Sequence, residues 1–171
     1  MEITKDIERR LIFLLEIAKN EEKRDQVSTF LMRVLSNHAT IGMDAGSAKI
    51  KKLNKTLSKE SYKLLCSTNI ETFCKNTINE HPRPLKAIWE WLQEKAESLS
   101  IEDVWNEFKT HQMITITKEE DAKIKFSGKN STGSYQSRYT DLGIEVISLK
   151  KTPFEISEMI HKDFQPKDEV F

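Results

Sequence analysis

Two stripes of apolar residues open the chain and predict two amphipathic helices. The first stripe follows Thr4, a residue type that caps helix N-termini. Both stripes keep the three- and four-residue spacing of one helix face, at Ile7, Leu11, Leu14, Leu15 and Ala18 and then at Val27, Phe30, Leu31, Val34 and Leu35. The polar segment 42–63 that follows predicts either a loose connection or a short helix and a turn.

Capping residues and prolines predict further helices in the middle of the chain. Thr68 and Glu71 have the spacing of a capping box, so we expect a short helix that continues as far as Pro82. Pro84 suits the first turn of the next helix, and Ser100 is a typical cap for another. The first two-thirds of the chain therefore predict five or six helices.

The pattern changes in the last third. Residues 113–117 have the sequence MITIT, in which β-branched isoleucine and threonine alternate after Met113. This alternation predicts a strand. Thr117 and Glu120 again have capping-box spacing and predict a short helix directly after it. A second strand is predicted at 144–149, followed by a last helix that begins near Thr152.

This order of elements predicts the fold class and the domain organisation. We expect an α+β fold that is predominantly α-helical, with a helical N-terminal two-thirds followed by a small two- or three-stranded β element and a C-terminal helix. The length suits a single domain, 1–171. An alternative subdivision has a helical part at 1–66, a helix–strand part at 67–163 and a flexible tail at 164–171.

Charge narrows the classes of partner. The 27 basic and 27 acidic side chains cancel, so the chain as a whole has no attraction for nucleic acid or for an anionic membrane. The longest apolar run, at 11–18, is too short to cross a bilayer, so we expect a cytoplasmic protein without membrane contact. Contact with nucleic acid would need local cations, and the candidates are Lys49, Lys51, Lys52, Lys55, Lys129 and Arg138.

One short stretch carries candidate chemistry. Glu80-His81-x-x-Pro84, with the strand and helix predicted at 113–126, resembles the motif of HNH (ββα-metal) endonucleases. The resemblance implies a nuclease of a bacterial or phage defence or mobile-element kind. It implies His81 as general base, and Glu80 with Glu120 or Asp121 as ligands of Mg²⁺ or Mn²⁺. The structural alternative is a proline-bounded turn between two elements.

Two further patterns predict other functions. Arg33 and His38 have the spacing of the arginine–histidine pair of HEPN ribonucleases, a spacing that also arises by chance. The helices predicted at 85–97, 101–109 and 118–126 have the order of a winged helix-turn-helix, which would suit a non-catalytic adaptor or accessory subunit of a larger complex. Trp91 cannot share a helix face with Trp89 and is expected at a contact with a protein partner or a second copy.

Overall fold

The computed structural model describes residues 3–20, 29–128 and 137–160 of the chain. The chain divides into two compact units, each made of two separate stretches. The first unit contains residues 1–44 and 83–112, and the second contains residues 45–82 and 113–171. No pattern in the sequence predicted this interleaving, and the prediction of a single domain stays a prediction.

Helices dominate the described residues, which confirms the predicted α+β, predominantly helical class. The helices are α1 (Lys5–Lys19), α2 (Thr29–Ile41), α3 (Ser47–Leu53), α4 (Lys59–Ser67), α5 (Ile70–Asn76), α6 (Leu85–Lys95), α7 (Ile101–Thr110), α8 (Lys118–Phe126), α9 (Arg138–Asp141) and α10 (Pro153–Ile160). The strands are β1 (Thr56–Ser58), β2 (Thr77–Glu80), β3 (Ile114–Thr117) and β4 (Val146–Ser148). None of these helices is long and apolar enough to cross a membrane.

The first unit is a helical bundle made of α1, α2, α6 and α7. The predicted apolar stripe of α1 is confirmed, because all five of its residues are buried in the core. The hydroxyl oxygen of Thr4 caps this helix by accepting a hydrogen bond from the N–H of Ile7 at 3.4 Å. Fully buried aliphatic side chains stabilise such a core by about 1.5–3 kcal/mol each; here they include Leu11, Leu14, Leu35, Leu92 and Val104.

The second unit is built around a mixed four-stranded sheet with the order β2-β3-β1-β4. β1 and β3 are parallel, whereas β1 pairs antiparallel with β4, and β2 pairs antiparallel with β3. The predicted strand at 113–117 is confirmed as β3, but the sheet has more strands than the two or three expected.

The helix predicted to reach Pro82 is wrong in its second half. α5 ends at Asn76, and the next four residues form β2, which pairs with β3 along its full length. Its cap is Asn69 rather than Thr68, since the Asn69 side chain accepts from the N–H of Thr72 at 2.8 Å. Thr77 and Ile78 keep helical spacing in the sequence, but pairing with a distant strand decides their conformation.

Two strand–helix segments of the second unit resemble each other. β1 leads directly into α4 and β3 directly into α8, and the segments TLSKESYKLL (56–65) and TITKEEDAKI (115–124) share Thr, Lys and Glu at equivalent positions. Because β1 and β3 are parallel, both helices begin at the same edge of the sheet. Ser58 is the N-cap of α4, and Thr117 is the N-cap of α8.

Candidate functional site

The predicted catalytic stretch lies at the end of β2. Glu80 is the last residue of that strand, opposite Ile114 of β3, and the half-buried His81 follows it directly. A histidine at the end of a strand is what the resemblance to HNH endonucleases implies. The contacts around Glu80 and His81 therefore decide whether the stretch is arranged for catalysis.

Arg138 determines the structure of this stretch. Its side chain is 1% exposed, and its Nη2 donates to Glu80 Oε1 and to the backbone oxygens of His81 and Pro82, the last at 3.0 Å. The structure thus corrects the expectation that Arg138 contacts phosphate, because a buried guanidinium paired with a carboxylate cannot reach nucleic acid. No local pattern predicts the burial of Arg138, since its partner Glu80 lies far away along the chain.

Both carboxylate oxygens of Glu80 accept hydrogen bonds. Its Oε1 accepts from Arg138 and its Oε2 accepts from the Tyr139 hydroxyl. Burial raises the pKa of the Glu80 carboxyl to about 7, although the charge of Arg138 and the hydrogen bond from Tyr139 act in the opposite direction. Burial, assisted by Glu80, also raises the pKa of Tyr139 well above its ordinary value. With both oxygens engaged, Glu80 anchors α9 to the end of β2 through a buried ion pair.

Glu120, a predicted metal ligand, serves as a helix cap. It is 4% exposed, and its Oε2 accepts from the Thr117 N–H at 2.8 Å and from the Ser58 hydroxyl at 2.5 Å. The carboxylate therefore completes the capping box of α8 and also binds the cap of α4. This buried polar network links the first turns of α4 and α8, each of which directly follows a strand of the sheet.

The other predicted ligand, Asp121, lies close enough to Glu80 for its charge to raise the pKa of that carboxyl, but the two carboxylates do not form a metal site by themselves. The carboxylate of Asp121 pairs with Lys125, one turn further along α8, at 2.6 Å. Among residues 3–20, 29–128 and 137–160, no three His, Cys, Asp or Glu side chains are grouped so that they could hold a metal ion. The Mg²⁺ or Mn²⁺ site and the general-base role of His81 stay predictions.

The lysine-rich segment places exposed positive charge on the second unit, and its contact with nucleic acid stays a prediction. Lys49 and Lys55 are exposed and form no salt bridge in the described part of the chain, although the charge of Lys55 helps to lower the pKa of Glu155. Lys52 lies 3.9 Å from the exposed Glu71. The Lys51 ammonium donates to the backbone oxygen of Cys74 at 2.7 Å. We call Lys49, Lys51, Lys52 and Lys55, together with the exposed Lys118, the lysine face. Lys129, the remaining candidate, lies outside the described residues.

Charges within the lysine face act on one another. Burial and then the charge of Lys118 lower the pKa of Lys51, while Cys74 acts in the opposite direction. Sequence reasoning did not select Lys118, yet it follows the cap of α8 as Lys59 follows the cap of α4. The signal in the sequence was the capping box, which places Lys118 at the first position of a helix, but its nearness to Lys51 depends on the fold.

The helix periodicity predicted that Trp91 would lie exposed, but it does not. It is half-buried and packs against the apolar core of its own unit, as does the half-buried Trp89. The guanidinium of Arg83 lies 5.4 Å from the centre of the Trp91 ring, and its Nη1 pairs with Glu107 at 2.5 Å. These contacts within the chain account for Trp91, and its contact with a partner stays a prediction.

Two sequence patterns remain, the Arg33–His38 pair and the predicted winged helix-turn-helix. His38 Nε2 lies 3.0 Å from Asp44 Oδ1, while Arg33 is exposed on the same helix, α2. The three helices of the predicted winged helix-turn-helix do not form one compact unit, since α6 and α7 belong to the first unit and α8 to the second. The winged helix-turn-helix, and the adaptor role that it would suit, stay predictions.

No relative is found. The chain matches no family model, no curated protein and no solved structure. The resemblance to HNH endonucleases therefore rests on the short motif alone.

Proposed function

We propose that this chain is a non-catalytic nucleic-acid-binding protein that contacts phosphate groups through the lysine face of its second unit. The observation that carries the proposal is the accumulation of like charges there. In a chain with no net charge, lysines from α3 and from the start of α8 lie close enough for Lys118 to lower the pKa of Lys51. Phosphate would relieve this mutual repulsion.

The lysines of this face are available to a ligand. Lys49 and Lys55 form no salt bridge among the described residues, although the charge of Lys55 helps to lower the pKa of Glu155, and the ion pair of Lys52 with Glu71 is long and exposed. Exposed pairs of this kind stabilise a protein by at most about 1 kcal/mol, so Lys52 can exchange Glu71 for a phosphate at little cost. Non-specific binding to nucleic acid depends mainly on such contacts.

A catalytic function has less support. Glu80, Glu120 and Asp121 are each engaged by side chains of the same unit, and the described residues contain no group of metal ligands.

The proposal is tested by measuring how affinity depends on salt. Fluorescence anisotropy with labelled DNA and RNA of mixed sequence should show binding that weakens as salt increases. If about three or four phosphates are neutralised, the dissociation constant should rise roughly 40- to 150-fold between about 50 and 200 mM salt. An affinity that does not change with salt would contradict the proposal.

A pair of matched variants assigns the binding to the lysine face. Replacing Lys49, Lys52 and Lys55 by Glu should abolish measurable binding. Replacing three exposed lysines of the first unit by Glu changes the net charge equally and should retain most of the affinity; suitable positions are Lys5, Lys19 and Lys95. Equal loss in both variants would show that binding follows total charge and not the lysine face.

A further inference from the structure

Within the described residues, the sheet of the second unit has one covered edge and one open edge. β2 forms one edge and packs against α3, where the Asn79 side chain donates to the backbone oxygen of Ser47 at 3.1 Å. β4 forms the other edge and pairs only with β1 within the described sheet. Natural sheets usually protect such an edge with a charged residue, a proline or a covering element, because an open strand can pair with another chain.

The direction of the open hydrogen-bonding groups follows from the register. The Lys59 N–H donates to the Glu145 oxygen, and the Leu149 N–H donates to the Lys55 oxygen, both at 2.8 Å. In an antiparallel pair, alternate residues direct their backbone groups to opposite sides of the strand. Those of Val146 and Ser148 therefore point away from β1, and both residues are exposed.

We propose that β4 is a self-association site at which two copies of this chain pair their β4 strands antiparallel. A two-fold axis through Ile147 places Val146 of each copy opposite Ser148 of the other. This register joins all the open N–H and C=O groups of both strands in four hydrogen bonds. A shift of the axis to Val146 or to Ser148 leaves some of these groups unpaired.

The side chains of β4 favour a second copy as the occupant. The directly opposed residues in this register are Val146 with Ser148 and Ile147 with its own copy, so no like charges meet. β-Branched residues facing each other stabilise cross-strand pairs. Val146 is 37% exposed, and the strand contains neither the lysine nor the proline that usually blocks pairing. This inference does not depend on nucleic-acid binding.

The pairing is short, so the dimer should be weak. Interfaces smaller than about 1,200 Å² belong to transient complexes. In sedimentation equilibrium, the average mass should rise from that of one chain toward that of two as the protein concentration approaches about 1 mM. A mass that stays that of one chain over the whole concentration range would overturn the proposal.

Charge substitutions test the register. V146K/S148K places lysines opposite each other twice across the axis and should abolish the dimer, whereas V146E/S148K places Glu opposite Lys and should restore it in a salt-sensitive way. Val146→Pro removes one outward N–H without removing a bond to β1 and should also prevent pairing, with Val146→Thr as control. Equal association of the two charge variants would overturn the register, and association of the Pro variant at wild-type strength would overturn the use of this edge.

Discussion

Replacing Arg138 by Met should destabilise the second unit strongly at alkaline pH and much less at acidic pH. Arg138 is buried and is the cation that faces the Glu80 carboxylate. The variant therefore leaves that carboxylate with the Tyr139 hydroxyl as its remaining partner in the described residues. Its negative charge then lies in a buried site without compensation.

The magnitude follows from the cost of breaking a buried pair. Removing one partner of a buried ion pair typically costs about 3–5 kcal/mol, because the other charge stays buried. At pH 8 the wild-type Glu80 is largely ionised, since its pKa is about 7. Without Arg138, whose charge lowers that pKa, the variant has to keep a buried charge or take up a proton, so we expect a loss near the lower end of this range. At pH 5 Glu80 is protonated, so the loss should fall to about 1–3 kcal/mol, the cost of the backbone oxygens that Arg138 no longer binds.

The wild-type protein should show its own pH dependence from the same carboxyl. Burial raises the pKa of Glu80 from 4.5 to about 7, so the folded state binds a proton more tightly than the unfolded state does. Stability from this group is therefore present below about pH 4.5 and is lost as the pH rises through about 7. The loss is at most about 3 kcal/mol. Glu80→Gln should remove this dependence.

Urea unfolding followed by far-UV circular dichroism at pH 5 and pH 8 tests these expectations. The set comprises the wild type, Arg138→Met, Glu80→Gln and the double variant, which should recover at least half of the stability lost by Arg138→Met at pH 8. A loss below about 1 kcal/mol at pH 8, or an equal loss at both pH values, would refute the buried ion pair as the anchor of α9.

Three further predictions follow from single contacts. Glu120→Ala should lower the free energy of unfolding by about 1–2 kcal/mol because it removes a cap shared by two helices, whereas Asp121→Ala should cost less than about 0.5 kcal/mol; thermal unfolding compares them. His81→Ala tests the nuclease hypothesis: a preparation that cleaves DNA or RNA with Mg²⁺ or Mn²⁺ should lose about 10²- to 10⁴-fold in rate, and cleavage that survives the change rejects His81 as the base. Trp91→Ala should reduce the stability of the first unit by about 1–3 kcal/mol without changing the association state, and a changed state would instead support a partner contact at Trp91.

Local signals in the sequence predicted the helices well. The stripe of α1, the Ser100 cap of α7 and the capping box of α8 lie within one or two helical turns, so their physical cause is contained in the pattern. The strands β1 and β2 were missed because they are only three or four residues long and owe their conformation to pairing with distant residues. No local periodicity reports such pairing.

The candidate site shows the same difference between local and distant contacts. The spacing of Thr117 and Glu120 correctly predicted a capping box, yet Glu120 was also assigned to a metal, and the buried carboxylate performs the structural role. Arg138 follows a Gly/Ser-rich segment, a position typical of an exposed cation. Its burial depends on Glu80, which no spacing in the sequence connects to it.

Mapping the contact with nucleic acid by ¹⁵N-resolved NMR tests the central claim most directly. On titration with a short DNA or RNA oligonucleotide, backbone amide signals of α3 and of Lys118 should shift, and the shifts should reverse as salt is added. Signals of the first unit should change little. Shifts confined to the first unit, or no shifts at low salt, would contradict the assignment of nucleic-acid binding to the lysine face.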